Sequence, residues 1–220
     1  MQRPTPPAAV LWDMDGTLVD TEPYWIEVEH ELAARHGGTW SHEQAMSLVG
    51  NDLLDSGRVL KEALGLTQDP AEVVEELLDG VIERVRREIP WRPGARELLA
   101  DLGRAGVPCA LVTMSYRRFV EPILEQLPER AFEVVVTGDQ VSAGKPDPEA
   151  YLTAAHALEL EPADCLAIED SPTGSRSAET AGCTVLVVPN HVPVPEGPRR
   201  VFRESLVGLG VDDLGGLLLR

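Results

Sequence analysis

Asp13-Met14-Asp15-Gly16-Thr17 follows directly on the apolar run Ala8-Ala9-Val10-Leu11-Trp12. On an extended segment, two carboxylates two residues apart point to the same side. Gly16 lets the backbone turn sharply, and Thr17 offers a hydroxyl and an N–H at the turn. The arrangement suits a metal-bound carboxylate nucleophile, Asp13, beside a carboxylic acid that handles protons, Asp15. Taken alone, the same five residues also fit a surface turn or a fragment of a calcium loop.

Three later segments bear on that choice. Ala110-Leu111-Val112-Thr113-Met114-Ser115 is an apolar run ending in hydroxyls, which reads as a buried strand delivering Thr113 or Ser115 to its C-terminal end. The plain alternative is that Thr113 caps the next helix. In Gly144-Lys145-Pro146-Asp147-Pro148, Lys145 is held in an extended or turn backbone by the proline after it. A compact ammonium there suits a phosphoryl oxygen or a neighbouring carboxylate, while Asp147 and Pro148 start a helix. In Leu166-Ala167-Ile168-Glu169-Asp170-Ser171-Pro172-Thr173-Gly174 an apolar run again ends in acidic residues. Paired carboxylates repel each other unless a cation sits between them, and Mg²⁺, a hard cation that takes oxygen ligands, is the natural choice. An acidic strand end by itself is commonly no more than a solvated loop.

Jointly, and in this order along nearly the whole chain, the four segments resemble the haloacid dehalogenase superfamily of aspartate-nucleophile phosphohydrolases. The long insert after Asp20 and the Glu169-Asp170 pair look like the subfamily with a small helical cap, which includes phosphoglycolate-type phosphatases, sugar phosphatases and β-phosphoglucomutase. The resemblance implies Asp13 as nucleophile and Asp15 as the group that protonates the leaving alkoxide. Asp15 would then deprotonate the water that opens an aspartyl-phosphate. It also implies a Mg²⁺ held by the Asp13 side chain, the Asp15 backbone carbonyl and the Asp170 side chain, with Glu169 bound directly or through water. Thr113 and Lys145 would hold the transferring phosphoryl oxygens, helped by backbone N–H groups of Met14–Gly16 and of Met114. The family often carries a second polar side chain directly after the Thr, where this chain has Met114. Ser115 and Arg117 are the candidates to replace it.

The elements that must position these residues are legible from the apolar rhythm. Val10–Trp12, Cys109–Val112, Val134–Thr137, Cys165–Ile168 and Thr184–Val188 read as strands. Gly94–Ala105, Arg117–Leu127, Pro148–Leu158 and Thr173–Ala181 read as helices between them. Such alternation predicts an α/β fold, a Rossmann-like doubly wound parallel sheet with helices on both faces and its site beyond the C-terminal strand ends. Between Thr21 and Arg87 only helical patterns occur. Ser41-His42-Glu43-Gln44 is a capping-box start, and Asp69-Pro70 opens a helix with Glu72 in its first turn. The expected organisation is a core of residues 1–20 and 88–220 with an inserted helical cap at 21–87. The Pro- and Gly-rich tail after Pro189 reads as irregular.

Composition narrows the partners. The chain has 220 residues, 43% of them hydrophobic, enough for a substantial core and a small second lobe. A net charge of −18 argues against nucleic acid. The cluster Arg84-Val85-Arg86-Arg87 reads as a helix C-terminus, where cations offset the dipole. No run reaches the roughly 18 apolar residues of a membrane span, and residues 1–9 are too rich in proline for a secretory signal. Cys109, Cys165 and Cys183 read as buried thiols of a reducing cytosol, so a cytoplasmic location is expected. The resemblance implies an enzyme acting on a small phosphorylated metabolite, expected as a monomer or weak homodimer.

Substrate choice in this family lies mainly in the cap. Tyr24, Trp25, Asn51, Arg58 and Lys61 are the specificity candidates, with cap packing or a solvated helix face as their plain alternatives. Mutase-like members carry a His near the position of Trp25 and an Arg in the loop aligned with Gly50-Asn51-Asp52-Leu53; this chain has neither. The expectation is therefore a phosphatase acting on a sugar phosphate or phosphoglycolate-type monoester. A β-phosphoglucomutase-like mutase is the alternative, and a non-catalytic module of the same fold or a metal-independent dehalogenase stands behind it.

Overall fold

The computed structural model describes residues 5–49 and 52–219. In chain order its elements are β1 (Ala9–Trp12), α1 (Glu22–Arg35), α2 (His42–Met46), α3 (Leu53–Leu64), α4 (Pro70–Arg87) and α5 (Ala95–Ala105). They continue with β2 (Cys109–Val112), α6 (Arg117–Leu124), β3 (Val134–Val136), α7 (Glu149–Ala157) and β4 (Cys165–Glu169). Last come α8 (Pro172–Ala181), β5 (Thr184–Val187), β6 (Arg200–Phe202) and α9 (Val211–Gly215). The chain divides into two compact units, one of residues 1–20, 91–117 and 126–220, the other of residues 21–90 and 118–125.

The first unit is a six-stranded sheet in the order β3-β2-β1-β4-β5-β6, every neighbouring pair parallel. β1, β2, β4 and β5 are buried at every position, as expected of strands covered on both faces. Ala9, Leu11, Ala110, Val112 and Ala167 pack against Ala150, Tyr151, Ala154 and Ala155 of α7 and Ala178 of α8. The small alanines bring α7 close to the sheet and leave Tyr151 as the large side chain of that helix face. Cys109, Cys165 and Cys183 are free and buried, and burial raises their thiols to about 12, 11 and 12. Strand order reverses at β1: the chain steps to β2 on one side, and β4 flanks it on the other. The ends of β1, β2 and β4 are thereby brought side by side at the switch point.

Two expectations shift. Helix α6 ends at Leu124 rather than Leu127, because Pro128 disfavours helical backbone at the residue before it. The tail is not irregular throughout: it carries β6 and α9. Glu179 on α8 holds this segment, accepting from Arg199 N at 3.0 Å and pairing with Arg200 Nη2 at 2.8 Å. β6 then joins β5 in parallel.

The second unit is helical. α4 presents a stripe of Val73, Val74, Leu77, Leu78, Val81, Ile82 and Val85, the 3.6-residue pattern of a buried face. Ser41 caps α2 in a capping box with Gln44, and Glu72 Oε2 accepts from Asp69 N at 2.8 Å where α4 begins. Glu29, buried on α1, accepts from Trp40 Nε1 at 2.8 Å; burial, only partly offset by that bond, raises its carboxyl to about 7. Among the described residues no helix is long and apolar enough to cross a membrane.

Gly94, the N-cap of α5, has φ +83°, and a Cβ there would sit 2.4 Å from the backbone of Leu206 and Val207. Gly106, at the other end of the helix, has φ +69° and nothing within 4 Å of such a Cβ. Gly106→Ala should therefore cost about 1–2 kcal/mol from left-handed backbone alone. Gly94→Ala should cost about 1–3 kcal/mol more, from the overlap. Urea midpoints of the two variants check this; equal losses would contradict the tail's close docking on α5.

Candidate active site

Asp13 follows the last residue of β1, and its N–H donates to Ile168 O of β4 at 3.0 Å, which fixes the chain as it leaves the sheet. The next residues form a tight turn: Leu18 N donates to Met14 O at 2.9 Å, and Gly16 N to Val19 O at 2.7 Å. Gly16 sits at φ +90°, where a Cβ would lie 2.1 Å from Asp170 Oδ2. Only glycine allows the turn and the Asp170 carboxylate to share this space.

The ends of β1, β2 and β4, with the loop before α7, bring most of the sequence-selected residues together. Lys145 Nζ donates to Asp13 Oδ1 at 2.7 Å, to Glu169 Oε1 at 2.7 Å and to Val112 O at 3.0 Å. Its three protons are fully used, and its side chain is buried. Asp13, Glu169 and Asp170 are all buried, and one carboxylate oxygen from each lies within 4.8 Å of the others. Asp13 Oδ2 is buried with no hydrogen-bond partner. Asp170 Oδ1 accepts from Thr17 Oγ1 at 3.5 Å, the long end of hydrogen bonding. Glu169 is more heavily engaged: Oε1 also accepts from Tyr151 at 2.7 Å, and Oε2 from Ser171 at 3.2 Å.

Asp15 is held by side chains that follow β2. Its Oδ2 accepts from Ser115 Oγ at 2.7 Å and from Thr113 Oγ1 at 3.3 Å. Thr113 Oγ1 in turn accepts from Ser115 N at 3.0 Å. Met114 uses its sulfur, which accepts from Lys145 N at 3.2 Å. Ser115 thus serves Asp15. The Arg117 N–H donates to Asp139 Oδ1 at 3.1 Å.

The cap candidates lie in the second unit. Tyr24 donates to Glu88 O at 3.2 Å, and Trp25 packs edge-to-face on Phe119 with ring centroids 5.6 Å apart. Arg58 is exposed and paired with Asp55, and Lys61 lies 3.8 Å from Asp69. Asn51 falls outside the described residues. Tyr151 and Ser171 were not singled out from the sequence. Ser171 is the N-cap of α8, its hydroxyl accepting from Gly174 N at 3.0 Å, and Tyr151 sits on the buried face of α7. Its signal was an aromatic with a hydroxyl on a face otherwise lined by alanine.

Burial raises the Asp13 carboxyl to about 7; the charge of Glu169 adds to this and Lys145 opposes it. Asp170 is raised to about 9 by burial and by the charges of Asp13 and Glu169. Burial alone would lower the Lys145 ammonium, but Asp13 and Glu169 raise it and hold it charged. Tyr151 is raised well above the ordinary phenol by burial and the same two carboxylates, so its hydroxyl remains a donor. One ammonium among three buried carboxylates leaves a site short of positive charge. The clustered carboxylates of Asp13, Glu169 and Asp170, an all-oxygen donor set, fit a hard divalent cation.

The family model described as haloacid dehalogenase-like hydrolase matches residues 10–188. The chain belongs to that family. Among its curated relatives is the phosphorylated carbohydrates phosphatase of Thermotoga maritima, 34% identical over 176 residues, covering 79% of this chain and 81% of the relative. The Arabidopsis thaliana bifunctional riboflavin kinase/FMN phosphatase is 32% identical over 185 residues, covering 83% of this chain; the matched part is 48%, about half, of that longer protein. The crystal structure of CbbY from Rhodobacter sphaeroides in complex with phosphate superposes with a TM-score of 0.84 at 26% identity, covering 94% of this chain and 99% of the other. In this family member the six-stranded parallel sheet is the fold expected from the alternation of apolar and helical segments.

The raised carboxyls predict a pH-dependent response to metal. An unfolded Asp titrates near about 3.9, whereas folded Asp13 and Asp170 keep protons to about 7 and about 9. Between those values the folded state binds more protons than the unfolded one, so without metal these groups lower stability as pH rises. A bound divalent cation removes that loss. Melting with MgCl₂ or EDTA should show a small Mg²⁺ increment at about pH 5 and a larger one at about pH 8, by several degrees. Equal increments would contradict the carboxylates as its ligands.

Proposed function

We propose that the protein hydrolyses a small phosphate monoester, of the sugar phosphate or phosphoglycolate type, through a phosphoryl-aspartate on Asp13. The observation that carries this reading is the asymmetry of the Asp13 carboxylate: Oδ1 is fixed by Lys145, while Oδ2 is buried and unpartnered. An oriented carboxylate oxygen without a competing hydrogen bond is a ready nucleophile for phosphorus. That the chain is a phosphoric monoester hydrolase accords with its phosphatase relatives, one of which is named for phosphorylated carbohydrates.

Asp13, Asp170 and the Asp15 carbonyl would hold Mg²⁺, a set to which the resemblance adds Glu169, directly or through water. When bound, the ion offsets the repulsion between carboxylate and phosphate and draws charge from the transferring group. Asp13 Oδ2 forms a bond to phosphorus as the bond to the alkoxide breaks. Asp15, held through Oδ2 by Ser115, gives its proton to that alkoxide. Asp15 then takes a proton from water, which attacks phosphorus and returns Asp13 as a carboxylate. Lys145 and Thr113, already directed at the two aspartates, provide positive charge and a hydroxyl for the phosphoryl oxygens. The absence of the mutase-type His and Arg from this sequence favours release of phosphate over its return to sugar.

The test is phosphate release across sugar phosphates, phosphoglycolate and nucleotides, with and without Mg²⁺. Mg²⁺-dependent release from a small monoester is expected. Asp13→Asn should leave the melting temperature at or above that of the wild type and reduce turnover to below about one per cent. Turnover that persists in the variant would exclude Asp13 as nucleophile, and isomerisation of β-glucose 1-phosphate without net release would favour the mutase.

A further inference from the structure

Glu169 is fully buried at the end of β4, and both oxygens of its carboxylate accept from protein donors. Oε1 receives both Lys145 Nζ and the Tyr151 hydroxyl at 2.7 Å, and Oε2 receives Ser171 at 3.2 Å. Tyr151 makes a second contribution, because Lys145 Nζ stands over its ring at 5.0 Å from the centroid. It is among the largest fully buried side chains of the protein. A hydroxyl so placed needs a partner, and a charged acceptor makes the bond a strong one. Four elements therefore meet on one ammonium: β1 through Asp13, β2 through Val112, β4 through Glu169 and α7 through Tyr151.

We propose that Tyr151 is a positioning residue for phosphoryl transfer: its hydroxyl fixes the Glu169 carboxylate, which with the Tyr151 ring fixes Lys145 against Asp13, so that Glu169 orients the lysine instead of ligating the metal. The proposal rests on the phosphatase reading above. Without the hydroxyl, Glu169 Oε1 keeps only Lys145, and the carboxylate can rotate and draw the ammonium off Asp13. The loss should fall on phosphoryl transfer and phosphate binding, not on the metal.

Tyr151→Phe keeps the ring and removes one oxygen. Three readouts are taken on wild type and variant: kcat and KM on the best monoester, Mg²⁺ affinity by calorimetry, and affinity for inorganic phosphate with Mg²⁺ present. The expected result is a kcat about tenfold lower, phosphate binding weakened several-fold, and a Mg²⁺ affinity within twofold of wild type. In the Glu169→Gln background the same change should have little further effect, because residues acting through one another are not additive. Unchanged kcat and phosphate affinity in a folded Tyr151→Phe, or full additivity with Glu169→Gln, would overturn the proposal. If Tyr151→Phe does not fold, Glu169→Gln alone decides it, since Gln keeps an acceptor for the tyrosine. Low kcat with unaltered Mg²⁺ affinity supports the positioning role, and a tenfold weaker Mg²⁺ affinity makes Glu169 a metal ligand and overturns it. Were the wild type inactive on every monoester, the phosphatase reading would fail, while the two binding measurements would still judge Tyr151.

Discussion

The Lys145 ammonium, shared between Asp13 Oδ1 and Glu169 Oε1 at 2.7 Å each, is the contact on which the rest of the site depends. Three carboxylates are buried around it, and burying unpaired charge costs several kcal/mol per ion. One lysine cannot balance three acids, so the cluster is tolerable only with protons or a cation added. That shortage is a cost in stability. It explains why the acids hold protons to higher pH than an exposed Asp and why a hard cation fits among them. It also leaves Asp13 Oδ2 without a partner, which a site optimised for stability alone would not do.

The sheet makes this crowding possible. Parallel strands in the order β2-β1-β4 place Thr113, Asp13 and Glu169 on neighbouring strand ends, although they are distant in sequence. Backbone bonds such as Asp13 N to Ile168 O lock each strand end before its side chain is used. The acids are thus held by rigid elements, and the turn at Gly16 closes over Asp170 where no Cβ fits. The carboxylate cluster lies where local rules conflict, with like charges adjacent and a left-handed residue required.

Much of this was legible in the sequence for definite physical reasons. Central parallel strands are buried on both faces and so appear as short continuous apolar runs; β1, β2, β4 and β5 fall where those runs lie. The capping box at Ser41, and Asp69-Pro70 with Glu72 in the first turn, mark helix starts by local chemistry alone. β6 was not legible, because Arg200-Val201-Phe202 is a half-buried edge strand of three residues that carries no apolar run. What holds that tail, Glu179 with Arg199 and Arg200, is a tertiary contact. The site shows the same limit. Asp13, Lys145 and Glu169 stand out by type and spacing, whereas the bonds Ser115 makes to Asp15 and Tyr151 to Glu169 arise only once the strands are side by side.

The measurement that tests the account most directly is a search for the covalent intermediate. The protein would be mixed with Mg²⁺ and its best monoester, quenched in acid within a single turnover, digested, and its peptides mapped by mass. A phosphoryl group on the peptide carrying Asp13, absent in Asp13→Asn, is the predicted result. Turnover with no phosphorylated peptide, or with the phosphoryl group on another residue, would contradict it.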